Sequence, residues 1–75
     1  MILIDAEGLM VTDSAIPELH AFATFLGLNR GVFQNERLPH YDVLTETLKA
    51  KAVRGGAEIV DSMEIDRRAV RPEIQ

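Results

Sequence analysis

Cysteine is absent from this chain of 75 residues. That excludes a disulfide framework and any thiolate metal site, and it removes the usual support of a small secreted fold. Apolar runs are short, far below the length of a membrane span. Basic residues are in deficit: eight Lys and Arg against twelve Asp and Glu leave a net charge of −4. Such a chain is repelled by phosphate backbones, so direct nucleic-acid binding is disfavoured. Arg67, Arg68 and Arg71 do cluster, but Asp66 and Glu73 are interleaved with them. Mixed signs of that kind read as a solvated, partly helical face and not as a phosphate site. Aromatic residues make up only 5% of the chain. Phe22 and Phe25 are expected in the core; Phe33, inside a polar loop, is expected to plug it or to mark a contact surface.

What is present suits one small globular domain spanning 1–75, with 47% hydrophobic and 27% charged residues. The opening MILIDAEG has no basic region and reaches an aspartate at position five, so it does not read as a signal peptide. A soluble, cytoplasmic protein with no membrane association is expected. Ile2 to Ile4 form a short apolar run, expected as a strand covered on both faces. Val11 to Ser14 read as a turn or extended connection. Pro17 to Leu26 carry a helical stripe of Ile16, Leu19, Phe22, Ala23 and Leu26, with Asp13 or Ser14 as cap, and Gly27 closes the helix. Asn29 to Pro39 read as a loop. His40 to Leu44 suit a second strand. Thr45 caps a helix to about Arg54, with Leu48, Ala52 and Val53 as its buried side, and Gly55-Gly56 stops it. Ala57 to Val60 suit a third strand centred on Ile59 and Val60, and Ser62 is a cap for a last short helix. The order β-α-β-α-β predicts an α/β fold with a three-stranded, mainly parallel sheet, helices packed on it, and residues 66–75 as a mobile tail. So few strands leave open edges, which favours a homodimer by edge pairing or helix packing.

Several short motifs then converge on one resemblance. ELHAFATFLGL (18–28), VFQ (32–34), PHYDV (39–43) and GGAEIV (55–60) resemble a family of small bacterial and phage proteins known only as domain of unknown function number four thousand and thirty-one. The similarity runs from about Ile2 to Ser62. Val32 stands where the family has tryptophan, HYDVLT is one residue longer than HYDLT, and Glu46 and Thr47 replace a basic helix start. The resemblance implies a compact fold and a shared surface around His20, His40, Tyr41 and Asp42. It implies no activity.

The chemistry-bearing residues are few. The chain has two histidines. His20, His40, Asp42 and Asp5 are chemically adequate ligands for a divalent metal ion. Asp5 ends the first strand, where open α/β sheets place ligands. In a strand, His40 and Asp42 share one face and Tyr41 takes the other. The same residues also suit structural roles: a half-buried His20, a turn-bonding His40, or Asp42 as a helix cap. No nucleophile elbow is present, and Gly55-Gly56 follows a helix, the wrong end for phosphate. Arg30, Arg37 and His40 could face an anion beside Phe33 or Tyr41. The leading expectation is a non-enzymatic, cofactor-free interaction protein, phage-encoded, that binds a protein partner through His20, Phe33, Arg37, His40, Tyr41 and Asp42. The alternative is a metal- or nucleotide-binding domain with weak hydrolase activity, using Asp5, His20, His40 and Asp42.

Overall fold

In the computed structural model, residues 1–72 are described. Strand β1 (Ile2–Ile4) is followed by β2 (Leu9–Thr12), helix α1 (Ile16–Leu26), a short 3-10 turn (Arg30–Val32), β3 (Tyr41–Asp42), α2 (Glu46–Arg54), β4 (Glu58–Ile59) and α3 (Ser62–Arg68). The sheet is four-stranded and mixed, in the order β3-β2-β1-β4. β1 runs antiparallel to β2, with Ile4 opposite Met10, and parallel to β4, with Ile4 beside Ile59. β2 runs antiparallel to β3, with Met10 opposite Tyr41.

The α/β class is as expected, but the three-stranded, mainly parallel sheet is corrected. Of Val11 to Ser14, expected as a turn or extended connection, Val11 and Thr12 belong to β2 and only Asp13 and Ser14 lie in the bend that follows. The chain folds back directly after β1, because the Asp5 carboxylate accepts hydrogen bonds from the Glu7 and Leu9 N–H groups, each at 3.0 Å. Gly8 completes the turn at φ 93°, a conformation that favours glycine. Only the β1–β4 pair is then parallel.

β1 is buried on both faces, as its sequence predicts. Ile2 and Ile4 join Met10, Tyr41 and Val43 beneath Leu19, Ala23 and Leu26 of α1 and Ala52 of α2. Leu3 and Val11 face the other way, against Ile65 of α3 and Ala69. Each large apolar side chain so buried contributes about 1.5–3 kcal/mol. Arg68 pins α3 to the sheet through Asp13 at 3.3 Å and Glu58 at 3.4 Å. Val70 donates its N–H to the Thr12 carbonyl at 2.9 Å, so the start of the expected tail is tied to β2. Residues 73–75 of that tail lie outside the described residues.

Local signals were met unevenly. Thr45 caps α2 through the Leu48 N–H, and Gly27 ends α1 in the left-handed region with Leu28 bonded back to Ala23. The other caps differ. Ala15 precedes α1 without a side-chain cap, and Asp61, one residue before Ser62, caps α3. Ser14 and Thr12 instead donate their hydroxyls to Glu18, each at 2.6 Å. Those bonds, with the N-terminal ammonium, hold the Glu18 carboxyl down at about 2. Phe25, Val53 and Ile59 were expected inside and are exposed. Phe25 packs only at the margin of α2, where its ring takes Lys51 Nζ at 5.0 Å and lies against Gly55, and β4 is an edge. Among the described residues no helix is long and apolar enough to cross a membrane.

A Cβ on Gly8 would sit 2.0 Å from the Val43 carbonyl oxygen. Gly8→Ala therefore combines a positive-φ penalty with displacement of the chain after β3, and a loss of about 2 kcal/mol or more is expected. The urea midpoint measures it; an unchanged midpoint would contradict this turn.

Candidate functional site

The site is built from Tyr41 outward. Pairing with Met10 places Tyr41 on the α1 side of the sheet, where it is fully buried. A buried phenol needs a polar partner. α1 supplies it: His20 Nδ1 and the Tyr41 hydroxyl share a hydrogen bond of 2.6 Å. The 3-10 turn then delivers Phe33 as the expected plug. Its ring lies 4.6 Å from the His20 ring, edge to face, and 5.3 Å from that of Tyr41. Three separate motifs thus meet at one node, and His20 comes from 21 residues before Tyr41.

Burial, with Arg30 nearby, lowers the His20 pKa below its ordinary 6.5. Burial also raises the Tyr41 pKa, against a smaller opposing effect of Arg30. Both groups are therefore held towards their neutral forms, and the hydrogen bond joins two uncharged partners.

His40 and Asp42 occupy the opposite face of the same strand, as the two-residue period predicts. His40 exchanges both backbone hydrogen bonds with Gln34, each 3.0 Å. Its Nδ1 lies 2.7 Å from the Leu38 carbonyl oxygen. A carbonyl only accepts, so Nδ1 carries the proton and Nε2 faces Asp42 Oδ1 at 3.7 Å. The Asp42 carboxylate accepts from Gln34 Nε2 at 2.6 Å. Asp42 does not cap α2.

The sequence candidates therefore separate. His20 and Phe33, both half-buried, close over the buried Tyr41, while His40 and Asp42 lie across the strand. Arg37 stands apart, paired with Asp66 at 2.7 Å. Asp5 belongs to the β1–β2 turn. Among the described residues no three His, Asp or Glu side chains come together to hold a metal ion, so Asp5, His20, His40 and Asp42 do not form a common coordination site. No side-chain nitrogen or oxygen that is buried among the described residues lacks a hydrogen-bond partner.

Sequence reasoning missed a neighbouring hollow of about 360 Å³. Leu28, Val32, Leu44 and Leu48 line it together with Gln34 and Asp42. Leu44 is 80% exposed. A signal for it was present. Leu44 stands just before the Thr45 cap, where an apolar residue ordinarily packs on the fourth helical position. Lys49 occupies that position, so Leu44 has no apolar staple partner on the helix.

A small α/β domain whose conspicuous polar groups are paired internally matches no single reaction class. The family model described as "Protein of unknown function (DUF4031)" matches residues 8–72. The chain belongs to that family. The matched span extends beyond the expected boundary at Ser62 and takes in α3. No curated protein and no solved structure matches the chain.

The lowered His20 pKa has a pH consequence. The unfolded chain binds this proton more readily than the folded one, so the stability at stake is complete above 6.5 and is lost as pH falls below it. On going from about pH 7.5 to about pH 5.5, the wild-type urea midpoint is expected to fall more than that of His20→Gln. Equal changes in the two proteins would show that His20 does not titrate in this way.

Proposed function

We propose that this chain is a non-enzymatic interaction domain that docks a protein partner at the hollow beside β3. The observation that carries the reading is a contrast. His20, His40, Tyr41, Asp42 and Asp5 all have partners within the fold. Large apolar side chains, by contrast, face solvent: Leu44 and Val32 stand open beside the hollow. Polar chemistry turned inward and apolar surface turned outward is the pattern of a docking site and not of a reaction centre.

The chemistry of the partner follows from the lining. Leu28, Val32, Leu44 and Leu48 suit one inserted apolar side chain. Asp42 is the charged residue of the lining, and the chain carries −4 overall. A segment with an apolar residue beside an arginine or lysine fits both features, and a basic partner surface would be steered towards this acidic domain.

¹H–¹⁵N spectra titrated with peptides carrying leucine next to arginine test this. Saturable shifts at Val32, Asp42 and Leu44 are expected, and their loss in Leu44→Asp. Silent peptides, together with saturable shifts at Asp5, His20 and His40 on adding zinc, manganese or nucleotides, would overturn the reading in favour of a ligand-binding site.

A further inference from the structure

The other side of α2 carries a second exposed stripe. Glu46, Lys49, Ala50, Val53 and Arg54 recur at helical spacing and form one wall of a groove of about 530 Å³. Ile4 and Ile59 contribute to its floor. Ile59 belongs to β4, the free edge of the sheet, and is 64% exposed. Val60 donates its N–H to the Ile4 carbonyl at 2.9 Å. Parallel pairing alternates, so the N–H and C=O of Ile59 point away from β1, towards a missing neighbour.

The charges of this face are its own complement. Glu46 and Arg54 stand at opposite ends of the stripe, each four residues from Ala50. Glu46 is 91% exposed, and its contact is Lys49 at 3.3 Å. Lys49 is committed more closely to the Ala6 carbonyl, at 2.8 Å. Arg54 is exposed, and no ion pair among the described residues uses it. A partner of one sign satisfies only one end. A second copy related by a two-fold axis satisfies both, because an isologous interface requires each patch to match itself.

We propose that this face joins two copies of the chain, β4 against β4 and α2 against α2. An axis passing near Ala50 sets the two α2 helices antiparallel and places Glu46 of each copy opposite Arg54 of the partner subunit. Ala50 is small and lies at the crossing, which permits the close approach of packed helices. Antiparallel pairing at Ile59 uses the outward backbone groups, continues the four-stranded sheet into its copy, and covers Val53 and Ile59 together. This surface is separate from the hollow at Leu44, so either can fail without the other.

Sedimentation equilibrium of the full chain over a concentration series decides it. Wild type is expected to dimerise. Glu46→Arg and Arg54→Glu each replace attraction with repulsion at two symmetric places, and each should weaken association about tenfold or more, equivalent to about 1.4 kcal/mol. The double variant Glu46→Arg/Arg54→Glu restores the pairing in swapped form and should recover the wild-type constant to within about threefold. Ile59→Lys, at an exposed position, should abolish the dimer while leaving the circular dichroism spectrum unchanged. A wild-type monomer at about millimolar concentration, a dimer indifferent to the single reversals, or a double variant as weak as the singles would each overturn the proposal.

Discussion

A buried phenol sets the terms of this structure. Tyr41 is the one tyrosine in the chain and is fully removed from solvent. Left unpaired, its hydroxyl would cost about 1–3 kcal/mol. The partner it finds is His20, and that choice orients a whole helix. With His20 turned to Tyr41, the neighbouring Leu19 and Ala23 fall on the sheet and Phe25 falls outside it. Phe33 closes over the pair and brings the loop with it. Gln34 then bridges to His40 and bonds Asp42, so the opposite face of β3 is organised by the same event. One hydrogen bond therefore links α1, the loop and the edge of the sheet.

β1 plays the corresponding role on the other axis. Three residues divide between two cores, and α3 covers the second. The arginines near the chain end serve this packing. Arg67 pairs with Glu64, Arg68 with Asp13 and Glu58, and Arg71 donates to the Asp66 carbonyl. Each cation has a partner within the fold, in keeping with a solvated face and not with a patch waiting for phosphate.

Much of this was legible in the sequence where local chemistry decides. The apolar run at Ile2–Ile4, the Thr45 cap, the Gly27 stop and the opposed faces of His40 and Tyr41 each follow from short-range rules. β2 was harder. Its alternation is blurred because both faces are buried, Leu9 and Val11 on one side and Met10 on the other. The turn before it depends on the Asp5 side chain, which had read as a ligand. Val53 and Ile59 misled for a different reason: apolar residues in a helix and a strand read as core, and nothing local says that β4 has no further neighbour. The pairing of His20 with Tyr41 is a contact between distant segments, so spacing could not reveal it, although the shared motifs had drawn attention to both residues.

The histidine-tyrosine pair acts as a lock within the fold. A double-mutant cycle with His20→Phe and Tyr41→Phe, read as unfolding free energy in urea, tests it most directly. A favourable coupling of about 1 kcal/mol or more is predicted, because removing His20 strands the buried Tyr41 hydroxyl and removing Tyr41 leaves the half-buried His20 Nδ1 without its partner. Single effects that simply add would mean that the two side chains do not stabilise each other, and the lock would be contradicted.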